Sequence, residues 1–155
     1  MSDCLFCDKT RMKILCGETT FFRILFDPNP VSSGHSLVVP KRHVDSLFDL
    51  TDQEWIELKP AIQEAITIIE STNLKKIYQE QIASDASEKS KSFCREVLRQ
   101  KGKPSAYNIG VNNGEAAGRT IHHLHIQIIP RYKGDVQDPI GGIRNIIPNK
   151  GNYQE

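Results

Sequence analysis

The stretch His123-Leu124-His125-Ile126-Gln127 places imidazole, imidazole and amide side chains at alternate positions. On a strand these three share one face, while Leu124, Ile126 and Ile128 share the other. One face is then apolar and the other chemical. Successive groups on the chemical face stand roughly 7 Å apart, two residues of strand rise, a spacing that suits a polyphosphate chain. A neutral imidazole can attack phosphorus as a nucleophile, and a neighbouring amide can donate hydrogen bonds to phosphoryl oxygens as charge develops. Two histidines alone are equally well explained by a solvent-facing strand edge, since histidine is often exposed or structural. Gly118 and Thr120, just upstream, tip the balance by offering a close backbone approach and a hydroxyl donor.

A second constellation lies at the start of the chain. Cys4-Leu5-Phe6-Cys7 offers two thiolates and needs two further ligands for tetrahedral zinc, and His43 in Pro40-Lys41-Arg42-His43 is the obvious third. A metal-free pair of thiols is the competing reading. Cys16 and Cys94 stand alone and read as ordinary packed thiols.

These groups must be positioned by an ordered frame, and the sequence outlines one. Strands are expected over 20–26 and 36–39, joined by the turn-rich Asp27-Pro28-Asn29-Pro30-Val31-Ser32-Ser33-Gly34. Thr51-Asp52-Gln53-Glu54 is a capping box, and Trp55, Leu58, Ile62, Ile66 and Ile69 follow at helical spacing. The principal helix is therefore expected over 52–70, with Pro60 kinking or locally opening it. Residues 71–104 are polar and lysine-rich; the run from Ser84 to Ser92 is expected to be a solvated loop, with Phe93, Val97 and Leu98 forming a short second helix that ends near Gly102. The remaining strands are expected over 106–111 and 120–129, joined by the Gly- and Asn-rich turn at 112–119 with exposed backbone amides. The tail, 134–155, reads as extended, with Gly141, Gly142 and Tyr153 placed to line a site.

With 155 residues, 38% of them apolar, the chain suits one domain with one core. Twenty basic residues against 19 acidic give a net charge of +1, so no bulk field draws it to nucleic acid or an anionic membrane. No apolar run approaches a membrane span, Met1-Ser2-Asp3-Cys4 lacks the features of a signal peptide, and the cysteine pattern suits reduced thiols or metal ligands. A cytoplasmic protein is expected. No Walker or dinucleotide-binding glycine motif occurs.

The segment Asn112-Asn113-Gly114-Glu115-Ala116-Ala117-Gly118-Arg119-Thr120-Ile121-His122-His123-Leu124-His125-Ile126-Gln127-Ile128-Ile129-Pro130-Arg131 resembles the signature of the histidine-triad (HIT) superfamily. Ser33-Gly34-His35-Ser36-Leu37-Val38-Val39-Pro40-Lys41-Arg42-His43 resembles that family's N-terminal strand block, and the likeness spans most of residues 4–134 apart from 71–104. The resemblance implies an α+β fold: an antiparallel sheet of about five strands with one principal and one shorter helix, in a single domain over 1–155 that assembles as a homodimer and binds nucleoside phosphates.

It also implies roles. His125 would be the nucleophile that forms a nucleotidyl-histidine intermediate, with His123 and Gln127 beside it in the triad. Asp27 would accept from a ribose hydroxyl, although an aspartate capping the turn before Pro28 explains that residue nearly as well. Asn112 and Thr120 would contact phosphates, with Gly118 giving backbone approach and Arg119 adding positive charge. His122 reads as packing or surface, and His35 as support behind the triad strand. The zinc set of bacterial-type members maps onto Cys4, Cys7, His43 and His123. Gln127 departs from the third histidine of the hydrolase branches and resembles the nucleotidyltransferase and dinucleoside-polyphosphate phosphorylase branches. The expected activity is hydrolysis of dinucleoside polyphosphates at the α-phosphate; the alternatives are phosphorolysis, or a zinc-stabilised nucleotide-binding module with weak catalysis.

Overall fold

A computed structural model describes residues 4–12 and 14–154. Met1 to Asp3, part of the stretch weighed above for an export signal, lie outside the described residues.

The chain forms strands β1 (Leu15–Glu18), β2 (Phe22–Phe26) and β3 (Ser36–Pro40), helices α1 (Asp52–Ser71), α2 (Leu74–Ala83) and α3 (Glu88–Val97), then strands β4 (Ala106–Gly110) and β5 (Ile126–Arg131). The five strands make one antiparallel sheet in the order β1-β2-β3-β5-β4. The fold class is the α+β arrangement expected, with α2 as a third helix and β1 as a strand that no sequence pattern announced.

Strand alternation divides the sheet into two unlike faces. Phe22, Ile24, Val38, Ile126 and Ile128 pack with Leu58, Ala61, Ala65 and Ile69 of α1 into the main core. On the opposite face Leu15, Leu25, Leu37, Gln127 and Gly110 pair in sequence across all five strands. This row runs from an apolar end at β1 to a polar one at Gln127.

α1 begins where its capping box demands. Thr51 Oγ1 accepts from the Glu54 amide at 3.2 Å and Glu54 Oε2 accepts from the Thr51 amide at 2.8 Å. Glu54 is buried and also takes Arg42 in a two-pronged pair at 2.7 and 3.0 Å, while Arg42 donates to the Asp49 carbonyl at 2.7 Å. The Arg42 guanidinium holds the Glu54 carboxyl below its ordinary pKa. Helix start, Arg42 and the loop bearing His43 are thereby one unit. α1 continues across Pro60 without a break in helix assignment, Pro60 standing on the exposed side where loss of one backbone N–H is least costly.

Three expectations need correction. The last strand begins at Ile126, not 120, because the preceding segment is drawn off the sheet: the Leu124 amide donates to the Val44 carbonyl at 2.6 Å and the His123 ring is fully buried against the Pro40 carbonyl. Of the expected solvated loop over 84–92 only the turn at 84–87 is one; Ser87 caps the start of α3, Ser90 is buried, and the helix ends at Val97, short of Gly102. The α2–α3 hairpin has its own small core of Tyr78, Cys94 and Val97, which composition could not show because only one side of each helix is apolar. The tail contains a short 3-10 turn, Gly142–Ile146, held near β4, with Asn152 donating to Asp138 at 2.7 Å. Among the described residues no helix is long and apolar enough to cross a membrane.

Candidate functional site

His125 lies one residue before β5, half-buried, with its backbone set by Leu124 on one side and the β3–β5 pairing on the other. Its Nδ1 is 2.9 Å from the His123 carbonyl oxygen. A carbonyl only accepts, so Nδ1 carries the proton and Nε2 keeps its lone pair for attack. The Phe6 ring leans against the imidazole with centroids 5.5 Å apart, restricting its rotation from the other side.

His35, expected only as support, is buried at 3% exposure and faces the same centre. The Val31 amide donates to its Nδ1 at 3.4 Å, which leaves Nε2 as the protonated nitrogen, 3.9 Å from Asp27 Oδ2 and without a hydrogen-bond partner. Burial holds its pKa below the ordinary value, opposed by the Asp27 carboxylate and the Gln127 amide. Asp27 caps the turn, as one of the two readings of it has it. Its Oδ1 accepts from the Asn29 amide at 2.7 Å and closes the turn, while Oδ2 looks toward His35.

The loop between β4 and β5 is shaped by two glycines. Gly114 and Gly118 adopt positive φ of 112° and 88° around the short turn Glu115–Ala117, conformations a side chain resists. Asn112 Nδ2 donates to the Gly118 carbonyl at 3.4 Å, and Thr120 is exposed. Arg119 is directed to Asp45, with Nη1 2.9 Å from its carbonyl oxygen and 3.9 Å from its carboxylate, so that charge braces the loop. His122 points outward, 3.9 Å from Asp45 and Glu115, as its place off the triad face suggests.

The second constellation converges in three dimensions. One ligand atom from each of Cys4, Cys7, His43 and His123 lies within 4.8 Å of all the others. His123 Nδ1 is 3.4 Å from Cys4 Sγ and 3.6 Å from Cys7 Sγ, and His43 Nδ1 is 3.2 Å from Cys7 Sγ. Tetrahedral zinc separates such ligand atoms by about 3.3–3.8 Å, close to these three separations. His123 donates Nε2–H to the Pro40 carbonyl at 2.8 Å, which fixes the tautomer that presents Nδ1 to a metal. Burial holds the His123 pKa down and favours the neutral, ligating form.

Sequence reading missed a concavity. A cavity of about 540 Å³ opens on the sheet face away from α1, floored by Leu15, Leu25 and Leu37 and bounded by Phe6, Phe26 and the α2–α3 hairpin. Leu37 is the direct cross-strand partner of Gln127, and Asp27 stands between the lining residues Phe26 and Pro28. The only signal in the sequence was Phe6, an aromatic held between two potential metal ligands. Cys16 lines the cavity as well, but burial pushes its thiol up to about 12, so it is chemically inert near neutrality.

The HIT domain profile matches residues 10–134. The chain belongs to the HIT family. It is 30% identical over 145 residues to the asymmetrical bis(5'-nucleosyl)-tetraphosphatase of Schizosaccharomyces pombe, covering 90% of this chain and 64% of that one. It is 32% identical over 122 residues to the AP-4-A phosphorylase of Mycobacterium tuberculosis, covering 77% of this chain and 47% of the phosphorylase. The fold is that of a Zn-bound histidine triad family protein from Mycobacterium smegmatis, with a TM-score of 0.57 at 24% identity over 88% of this chain and 81% of that one.

Proposed function

We propose that this HIT protein is a nucleotide hydrolase that cleaves dinucleoside polyphosphates at the α-phosphate through His125. The observation that carries the reading is the 2.9 Å contact of His125 Nδ1 with the His123 carbonyl, which leaves Nε2 basic and pointing away from the backbone that holds it. Nε2 attacks the α-phosphorus, the bond to the bridging oxygen breaks, and the remaining polyphosphate leaves. Water then adds to the nucleotidyl-histidine and restores the imidazole. The side chains of Asn112, Thr120 and Gln127 stabilise the phosphoryl oxygens, Gly118 gives the loop its close approach, Arg119 braces that loop against Asp45, and Asp27 accepts from the ribose.

Gln127 favours a second acceptor within the same chemistry. An amide cannot give a proton to the leaving group, so substrates whose leaving group is already an acidic polyphosphate suffer least, and inorganic phosphate becomes a competent acceptor. The likeness to a phosphorylase supports this alternative. Diadenosine tetraphosphate separates the two: water as acceptor yields AMP and ATP, whereas phosphate yields ADP and ATP. Chromatography of the products with and without phosphate is expected to show AMP and ATP in both. ADP formed only with phosphate assigns the phosphorylase, and nucleotide bound without product leaves only a binding module.

The Cys4, Cys7, His43 and His123 cluster is assigned to structural zinc, supported by its donor set and spacing. Bound zinc supplies no step in the reaction; it ties the segment bearing His125 to the N-terminal turn bearing Phe6. A homodimer is supported by the exposed apolar face around β4 and α1, where Phe48 is 89% and Trp55 57% exposed and Ile109 lies on the edge strand. Four cysteines without a disulfide among them suit a reducing, cytoplasmic setting.

A further inference from the structure

The α2–α3 hairpin interrupts the HIT-like sequence and takes no part in the chemistry described above, yet it is not a loose appendage. The Tyr78 hydroxyl accepts from the Gly34 amide at 2.6 Å, Gln100 Oε1 accepts from the Ser33 amide at 2.6 Å, and the Ser90 hydroxyl donates to the Pro28 carbonyl. All three anchors fall on the β2–β3 loop, just beyond Asp27. They swing the α2–α3 turn over the far side of the cavity, opposite the leucine floor.

The cavity therefore has two unlike surfaces. Leu15, Leu25 and Leu37 lie on three adjacent strands, giving a flat apolar floor about 10 Å across at ordinary strand spacing. A bicyclic ring covers such a floor, whereas a single ring leaves part of it wet. The facing wall is polar and carries Glu80, Gln81, Ser84 and Asp85. Gln81 is the side chain held in place: its Nε2 reaches the Pro28 carbonyl at 3.5 Å and Ser90 Oγ at 3.4 Å. With the amino side of the amide so engaged, the group it offers to a ligand is the acceptor Oε1.

Continuity with the reaction centre fixes the occupant. Phe6 touches the His125 ring and also lines the cavity, and the floor row runs directly from Leu37 to Gln127. A nucleotide with its α-phosphate at His125 and its ribose at Asp27 finds this cavity beside it for its base, since Asp27 stands between the lining residues Phe26 and Pro28.

We propose that the α2–α3 hairpin is the base-selecting wall of the site, admitting a purine whose exocyclic amino group donates to Gln81. The inference rests on the nucleotidyl-transfer reading of His125 and adds to it the residue, outside the triad region, that selects among bases. The leucine floor gives apolar contact to any large ring; the hydrogen bond to Gln81 discriminates among rings of equal size, because an analogue lacking the amino group leaves the amide unpaired against an apolar neighbour.

Equilibrium binding to the full chain tests this with two matched pairs: AMP against purine riboside 5'-monophosphate, and GMP against IMP. Each pair differs by one amino group. UMP and ribose 5-phosphate complete the set. The wild type is expected to bind the better amino purine about fivefold or more tightly than its partner lacking the amino group, the range of one hydrogen bond, and to bind UMP more weakly still. Gln81→Leu is expected to erase the difference within the pair, and Ala86→Trp, which fills the cavity from the same turn, to reduce purine affinity toward that of ribose 5-phosphate. Equal binding within both pairs, UMP as tight as the purines, or discrimination that survives Gln81→Leu overturns the proposal. If nucleotides are bound and cleaved without regard to base, only the hairpin inference is lost. If nothing binds and nothing is cleaved, the nucleotidyl-transfer reading falls with it.

Discussion

The two faces of the sheet are built from alternate residues of the same strands and have opposite fates. Ile24, Val38, Ile126 and Ile128 meet α1 and are sealed to 3% exposure or less, while Leu25 and Leu37, one residue along, border a cavity of about 540 Å³. One face spends its apolar surface on stability. The other packs Leu25 and Leu37, each 5% exposed, with Phe6 and Met12, leaves Leu15 open beside the cavity, and carries the row on to Gln127. The period of 2 makes this economical, because residues that hold the strand also orient their neighbours toward the site.

The largest test of that division is His125→Ala. Turnover is expected to fall by at least about 10³-fold while nucleotide binding and the thermal midpoint stay near wild type; substantial residual rate in single-turnover measurements removes the nucleophile from this position. Next in size is a matched pair of truncations read by urea unfolding. Ile128→Ala, on the sealed face, is expected to cost about 2–5 kcal/mol. Leu37→Ala, packed with Phe6 and Met12 but bordering the cavity, is expected to cost about 2 kcal/mol, the low end of that range, and to weaken nucleotide binding as well. Equal costs and unchanged binding would erase the contrast between the faces.

Chelation of zinc, or Cys4→Ser, addresses the corner where the two faces meet. Elemental analysis is expected to find near one zinc per chain, and the variant to lose several degrees of thermal midpoint, at about 2–4 °C per kcal/mol. A metal-free wild type of unchanged midpoint removes the metal from the account. Gln127→His is expected to keep or modestly raise hydrolysis; a collapse in rate would give the glutamine a dedicated role and favour phosphate as acceptor.

The smallest effect concerns pH. Burial holds the His35 pKa below its unfolded value of about 6.5, so between those two values the unfolded chain binds the extra proton. Stability conferred by the neutral ring is present above about pH 6.5 and declines as pH falls through that window, at no more than about 1.4 kcal/mol per pH unit. Urea midpoints at two pH values in wild type and His35→Asn are expected to show a shallower dependence in the variant, the contribution of the zinc ligands being common to both.

The period of the triad strand, the capping box at Thr51 and the spacing of the α1 apolar residues are all local patterns, and local patterns survive in a sequence. They set the α+β class, the principal helix and the opposed faces of Leu124 and His125. The cysteine pair and His43 were visible as ligands in waiting, and resemblance to the HIT family supplied His123. The sequence could not determine that His123 turns off the triad face into the protein, since that depends on a carbonyl at Pro40, 83 residues away. Nor could it disclose the cavity, whose floor comes from three strands, whose rim comes from Phe6, and whose wall comes from a hairpin that reads as polar and unremarkable in composition. A concavity is the space between segments distant along the chain, so no single segment carries its signature; which residues could do chemistry was written locally, and what they face was decided only by tertiary packing.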